Sequence, residues 1–165
     1  MEIKLLKDVG CPQWVINHSI LVSKISLNIA EYYPEVDKDL IKTGALLHDI
    51  GRSKTNNIDH GYVGGEILTD LDFPIEVIHI VERHIGTGIS IDDAKAMNLP
   101  IKNYIPQTLE EKIVSHADNL TNGSDFVDVE FTAKKWRKRL GNNHPSIKQL
   151  YKNHEDLIIS KGVEL

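Results

Sequence analysis

The spacing of the apolar residues is the feature that most restricts the fold of this 165-residue chain. Leu, Ile, Val and Trp recur every three or four residues in nearly every segment, which is the period of an α-helix. No segment shows the alternation of apolar and polar residues that is typical of a half-buried strand. The sequence therefore predicts an all-α fold, a helical bundle of about six to eight helices that forms a single domain over residues 1–165.

Glycines and prolines divide this pattern into segments of helical length. Gly51 stands where a helix C-cap is expected, and Thr108, followed three residues later by Glu111, resembles a capping box. Residues 86–107 contain several glycine or proline breaks and predict an irregular excursion with one short helix. The other predicted helices cover residues 2–8, 12–33, 36–50, 61–71, 74–85, 108–120, 126–140 and 145–161.

The composition excludes several classes of protein. A hydrophobic fraction of 41% is ordinary for a globular protein and excludes a disordered one. A net charge of −5 produces no overall field that favours nucleic acid or an anionic membrane. The one cysteine, Cys11, excludes an internal disulfide and thiolate zinc sites. Because the chain shows no signal peptide and no apolar run that could span a bilayer, we expect a cytoplasmic protein without a membrane partner. The sequence does not predict an oligomeric state.

Histidine is the unusual residue, with eight copies in the chain. His18, His48 and His84 lie on apolar helix faces, where an imidazole is costly unless a partner takes up its lone pair. His116 also lies among apolar residues and is interpreted as a hydrogen-bonded core residue or a support for a ligand. Three other histidines lie in polar surroundings, where no role is predicted; they are His79, His144 and His154.

A metal site is the function that this set of residues predicts. One histidine on an apolar face is more often a hydrogen-bonded core residue than a ligand, but here three of them accompany His60, Asp49 and Asp118. Imidazoles and carboxylates without thiolates suit a divalent transition metal such as Mn, Fe, Co, Ni or Zn. Adjacent helical residues point about 100° apart. His48 and Asp49 can therefore serve one ion from a helix terminus, or Asp49 can direct its two oxygens toward two ions.

The order of these residues resembles a known family. His18, the pair His48–Asp49 and Asp118 resemble the H…HD…D signature of the HD-domain metal-dependent phosphohydrolases. HDIGR, at residues 48–52, resembles the HDIG subgroup. DHGYVGGEIL, which contains His60, and ERHIGTG, which contains His84, resemble the two added histidines of the five-motif, two-metal branch. A downstream GYP motif is missing, so we do not predict a cyclic di-GMP phosphodiesterase.

The resemblance implies a metal-dependent hydrolase of a nucleotide or related small phosphate ester, either a phosphomonoesterase or a phosphodiesterase. It implies two divalent ions and a metal-activated bridging water as the nucleophile. Asp49 would bridge the ions and thereby act in catalysis. The remaining ligands divide between a first ion, held by His18, His48, Asp49 and Asp118, and a second, held by His60 and His84.

Two cations beyond the HD pair are candidates for binding the phosphate. Arg52 lies four residues after His48, and its planar fork suits phosphate oxygens. Lys54 is the second choice. The alternative for both is that a cation close to a helix C-terminus complements the helix dipole and has no catalytic role.

Other interpretations stay open at this stage. The basic run AKKWRKRL, residues 133–140, is either a surface for RNA or a helix with Trp136 in the core and solvated cations, and we favour the second. Gly86, Gly88 and the loop to Pro106 either form a wall that selects the substrate or lie away from the site. The alternative functions are a metal-containing, nucleotide-binding regulatory module, a single-metal 5′-nucleotidase and an RNA-processing phosphodiesterase.

Overall fold

The computed structural model describes residues 1–165 and consists of nine α-helices with short connections. The all-α prediction is confirmed, and the only strands form a small antiparallel hairpin, β1 (Thr121–Asn122) and β2 (Asp125–Phe126). A 3₁₀ turn, Ile50–Ser53, and a π turn, Glu155–Ile159, complete the regular structure. The helices are α1 (Glu2–Asp8), α2 (Gln13–Ala30), α3 (Lys38–Leu47), α4 (His60–Asp70), α5 (Ile75–Arg83), α6 (Ile91–Ala96), α7 (Leu109–Asn119), α8 (Val129–Leu140) and α9 (Pro145–His154).

Polar side chains cap several helices at their first turn. Asp37 accepts hydrogen bonds from the amides of Asp39 and Leu40 at the start of α3. Thr108 accepts one from the Glu111 amide at the start of α7, as the sequence predicted. The Glu111 carboxylate does not accept from the Thr108 amide; it accepts from the Gln107 amide at 2.6 Å and pairs with Arg83 at 2.9 Å. Only half of the predicted capping box is therefore formed.

Two hydrophobic clusters enclose the length of α2. The larger cluster joins α2 to α3, α5, α7 and the π turn. The second joins the start of α2 to α1, the end of α3, α4 and α5. The ends of α3, α5 and α7 consequently lie beside the N-terminal half of α2, which is where the conspicuous histidines and aspartates of the sequence are found. Collecting polar ligands from several helices inside a bundle is a common way to build a metal site.

The end of α3 differs from the prediction. The helix stops at Leu47 with His48 as its cap residue, and the chain then enters the 3₁₀ turn that contains Gly51. Gly51 is therefore not a C-cap. A Cβ at Gly51 would lie 1.9 Å from the carbonyl oxygen of His60 and 2.7 Å from the amide nitrogen of Gly64. Glycine is needed at this position because the turn packs directly on the backbone of α4, a contact that local sequence patterns do not report.

Trp14 also departs from its predicted environment. Its spacing of four residues from His18 predicts a place on the apolar face of α2, but 48% of its surface is exposed. Farther along the same helix, Val22 and Ile29 are fully buried as expected. No helix in the structure combines the length and hydropathy needed to cross a membrane.

Candidate metal centre

The ends of four helices and the middle of α2 bring the predicted ligands together. His18 lies within α2, whereas Asp118 lies in the last turn of α7. Of the remaining ligands, His48 and Asp49 directly follow α3, His60 is the first residue of α4, and His84 directly follows α5. The four histidines and Asp49 are all less than 8% exposed. The structure therefore places all six predicted ligands in one cluster.

Main-chain carbonyl groups orient the four imidazoles. A carbonyl oxygen only accepts hydrogen bonds, so each Nδ1 must carry the hydrogen. In a neutral ring the Nε2 atom then has a free lone pair, which is the arrangement usual for metal-binding histidines. The Nδ1 contacts are those of His18 with Gly123 O at 2.8 Å, His48 with Ala45 O at 2.7 Å, His60 with Asn57 O at 2.7 Å and His84 with Val81 O at 2.7 Å.

Asp49 stands between two groups of imidazoles. Its Oδ1 lies 3.2 Å from Nε2 of His60 and 3.5 Å from Nε2 of His84. Its Oδ2 lies 3.7 Å from Nε2 of His18 and 3.8 Å from Nε2 of His48. One carboxylate oxygen thus faces each group, which is the geometry of a carboxylate that can bridge two cations.

Several lone pairs in the cluster lack a hydrogen-bond donor, which shows that the cluster fits a metal. Oδ1 of Asp49 is buried without a hydrogen bond. The Nε2 atoms of His60 and His84 face each other at 3.2 Å, where two lone pairs repel unless a proton or cation lies between them. Two groups of three side chains could each hold an ion, because the ligand atoms within each group lie within 4.8 Å of one another. The groups are His18, His48 and Asp118, and His48, Asp49 and His84. Nitrogen and oxygen donors in this arrangement suit divalent transition metals.

The electrostatics of the cluster show that protons and cations would compete for the same atoms. Burial lowers the pKa of His48 to about 4, so this ring is neutral and its Nε2 can bind a cation. Burial also opposes protonation of His18, but its hydrogen bond to Asp118 and the charge of that group raise the pKa of His18 to about 9. The pKa of Asp49 is lowered well below its usual value, since the surrounding imidazoles outweigh the effect of burial.

The two predicted phosphate-binding cations occupy different places. Nε of Arg52 donates to Oδ2 of Asp49 at 2.8 Å, and its Cζ lies 5.7 Å from the centre of the Trp14 ring. Arg52 also lines the cleft above the cluster. Lys54 is exposed and does not line that cleft. The structure therefore brings Arg52, but not Lys54, to the candidate site.

The cluster opens into a polar cleft of about 380 Å³. Residues of α8 form part of its wall, among them Lys135, Trp136 and Arg139. As predicted, Trp136 is buried, with 8% of its surface exposed, and Lys135 and Arg139 are exposed to solvent; both cations also border the cleft. The sequence signal was present, because Thr132, Lys135, Trp136 and Arg139 recur at the spacing of one helix face. Only the docking of α8 beside the cluster showed that this face borders the cleft.

The glycine-rich loop after α5 contributes to the same cleft only at its start. The carbonyl of Gly86, whose φ is +59°, accepts hydrogen bonds from Ser115 at 2.9 Å and Asn119 at 2.7 Å. Gly86 lines the cleft, whereas Gly88 does not. The rest of the excursion packs on itself through a small cluster around Tyr104.

The other histidines lie outside the cluster. His116 is fully buried, and its Nε2 lies 3.1 Å from Nδ1 of His154. His144 caps α9 by accepting a hydrogen bond from the Ser146 amide. His79 is half-buried on α5.

Comparison with known families decides the assignment. The model of the HD domain matches residues 15–123, a range that contains all six clustered residues. This chain belongs to the HD domain family. Among solved structures, the HD domain of the Listeria monocytogenes phosphodiesterase PgpH in complex with cyclic-di-AMP matches with a TM-score of 0.60 and 20% identity, over 91% of this chain and 92% of that chain. At that identity, the similarity shows the HD-domain fold alone.

The sequence of this chain is also similar to those of proteins with different named activities. An uncharacterized protein of Methanocaldococcus jannaschii is 48% identical over 90% of this chain and 89% of its own length. The tRNA (cytidine(56)-2′-O)-methyltransferase of Picrophilus torridus is 40% identical over 99% of this chain but only 47% of its own length. The dihydroneopterin 2′,3′-cyclic phosphate phosphodiesterase of M. jannaschii is 34% identical over 70% of this chain and 49% of its own length. This chain thus spans about half the length of the two named enzymes.

Proposed function

We propose that this protein is a metal-dependent phosphohydrolase that cleaves a nucleotide or related small phosphate ester and acts as a single HD-type domain over residues 1–165. The observation that carries the proposal is Asp49, a buried carboxylate with one oxygen toward His18 and His48 and the other toward His60 and His84. The relative named as a cyclic phosphate phosphodiesterase supports the same class of reaction.

In this proposal the cluster would hold two divalent ions. His18, His48 and Asp118 would hold the first, and His60 and His84 would hold the second. Asp49, which has one oxygen toward each group, would contribute to both. When bound, such a pair of ions makes a nucleophile available from water at neutral pH and neutralises charge on the phosphate.

The residues of the chain itself orient and bind. The four main-chain carbonyls that accept from Nδ1 hold each imidazole with its Nε2 toward the centre. Arg52 is anchored on Asp49 and lines the cleft, so its guanidinium is placed to bind a phosphate oxygen beside the ions. The near-complete burial of His48, Asp49 and His84 limits bulk water at the base of the cleft. Lys54 has no part in this proposal.

Removal of the metal tests the proposed reaction. We expect the purified protein to hydrolyse bis(p-nitrophenyl) phosphate or a member of a nucleotide panel, to lose this activity with a chelator, and to regain it when Mn²⁺ or another divalent transition metal is added. Phosphate or nitrophenol release measures the result. Full activity in chelated, dialysed protein would contradict the proposal. Tight nucleotide binding by metal-loaded protein without any product would instead indicate a regulatory module.

The number of ions distinguishes the proposed site from a single-metal 5′-nucleotidase. We expect about two ions per chain in the wild type and about one in His60→Ala, because His60 faces only the second position. Activity should fall by more than about 10- to 100-fold, the usual loss for a change beside the ligands. Elemental analysis and turnover are measured together, with His79→Ala as the matched control. A wild type that holds one ion, with activity unaffected by His60→Ala, would favour the nucleotidase.

A further inference from the structure

One face of α8 forms a wall of the cleft without any role in the metal cluster. Thr132, Lys135, Trp136 and Arg139 recur at intervals of three and four residues, and all of them line the cleft. Lys134 and Lys138 lie on the same helix but do not line it. The helix thus separates two cations that border the cleft from two that do not.

The cations on this face have no acidic partner in the protein. Neither Lys135 nor Arg139 has a carboxylate within ion-pair distance; the one polar contact of Lys135 is Oδ1 of Asn122 at 3.1 Å. Arg137, in contrast, pairs with Glu130 at 3.8 Å and donates to the hydroxyl of Tyr151. The neutral contact of Lys135 and the free guanidinium of Arg139 leave two positive charges on the wall for an anionic ligand.

The carboxylates within the cleft do not balance these charges. Asp49 and Asp118 are the only acids that line it, and both belong to the candidate metal cluster. Asp49 is also paired with Arg52. With divalent cations on the two aspartates, the cleft has a large excess of positive charge, more than a single phosphate ester would neutralise.

An apolar groove continues from the same wall. This smaller cavity of about 120 Å³ shares Ile85, Gly86, Trp136 and Arg139 with the cleft. It adds apolar residues that the cleft lacks, namely Ile58, Ile89, Met97 and Leu140. A ligand that extends past Arg139 therefore meets a largely apolar surface that also contains polar side chains such as His144 and Ser146, which suits a nucleobase better than an inorganic polyphosphate.

We propose that Lys135 and Arg139 bind a second, non-scissile phosphate, and that the substrate is a short nucleotide with a phosphate in addition to the ester that is cleaved. The proposal rests on the proposed function, since the scissile ester is assigned to the metal cluster. The base of such a nucleotide would lie in the groove beyond Arg139. Arginine and lysine are the residues that usually bind phosphate in this way.

Two dinucleotides that differ by one phosphate test the proposal. The 5′-phosphorylated pApA and the unphosphorylated ApA contain the same 3′–5′ ester. We expect the wild type to prefer pApA in kcat/KM, and Lys135→Ala or Arg139→Ala to lower kcat/KM for pApA by about 10-fold or more, the loss that follows removal of a charged hydrogen-bond partner. Turnover of ApA and of bis(p-nitrophenyl) phosphate, which lack the second phosphate, should fall much less than that of pApA in these two variants. Lys134→Ala and Lys138→Ala are the matched controls and should leave all three substrates unaffected.

Binding measurements test the second-phosphate site independently of the proposed phosphohydrolase activity. Calorimetry with the metal-loaded wild type should show tighter binding of pApA than of ApA or of inorganic triphosphate, even if none of them is hydrolysed. Equal affinity for pApA and ApA, or equal losses for both in Lys135→Ala and Arg139→Ala, would overturn the second-phosphate site. A longer oligoadenylate that binds much more tightly, and that loses affinity equally in Lys134→Ala and Lys138→Ala, would also overturn it and indicate an RNA surface.

Discussion

Replacement of Asp49 with asparagine is expected to abolish hydrolysis and to remove bound metal, because this side chain alone faces both groups of imidazoles. The amide keeps the shape of the carboxylate but is neutral, and it cannot direct an anionic oxygen to each side. A change that merely disturbs the orientation of a ligand costs about 10- to 100-fold in activity or affinity, so the loss here should exceed about 100-fold. Turnover and elemental analysis of the purified variant measure it.

The melting temperature provides a second readout for the Asp49→Asn variant. Ions that bind only the folded chain stabilise it, so a chelator should lower the melting temperature of the wild type. In Asp49→Asn that shift should nearly disappear. Asp39→Asn is the control, since it removes one exposed carboxylate at the other end of α3. A fully metallated, active Asp49→Asn protein would refute the assignment of Asp49 as the bridging ligand.

Replacement of Gly51 with alanine is expected to be the most destabilising small substitution in the chain. Its Cβ would lie 1.9 Å from the His60 carbonyl oxygen and 2.7 Å from the Gly64 amide nitrogen, and neither backbone atom can rotate away. Overpacking of a core usually costs about 1–3 kcal/mol and sometimes more. Because this clash is with main chain, we expect a loss of about 3 kcal/mol or more in the free energy of unfolding, measured by urea denaturation.

Gly162→Ala is a suitable comparison for Gly51→Ala. Gly162 has a φ of +65° and nothing within 4 Å of its ideal Cβ, so alanine there meets strain without a clash. The left-handed conformation costs a residue with a side chain about 1–2 kcal/mol. If Gly51→Ala remained as stable as Gly162→Ala, the close packing of the 3₁₀ turn on α4 would be wrong. A folded Gly51→Ala protein should also bind less metal, because separating the turn from α4 displaces Asp49 from His60.

The sequence predicted the helices well where apolar spacing decides their course. The helix over residues 2–8 is α1, and the predicted opening of α9 at Pro145 is found in the structure. The prediction failed at the end of α3, where the reason is tertiary. The turn after His48 packs against α4, and Gly51 is selected by that contact instead of by the local need for a C-cap.

The candidate ligands could be chosen from the sequence because burial of a polar group is costly. Histidines on apolar faces need partners, and their order along the chain resembles that of the HD-domain enzymes. Their mutual arrangement could not be read in this way. The separate contacts of the two Asp49 oxygens depend on how the ends of α3, α4 and α5 meet. The HDIG subgroup and the two-ion site stay predictions.

The sequence by itself determined the all-α fold, because the fold follows from the helical spacing of apolar residues. It also determined which residues could bind a metal, because a polar side chain on an apolar helix face is costly to bury without a partner. The tertiary structure alone decided which cations reach the cleft. Arg52 and Lys54 are two residues apart, yet only Arg52 lines it. Lys135 and Arg139, far from either in sequence, do so as well. The direction of a side chain toward a shared cavity depends on how helices distant in the chain pack, and local patterns carry no information about that packing.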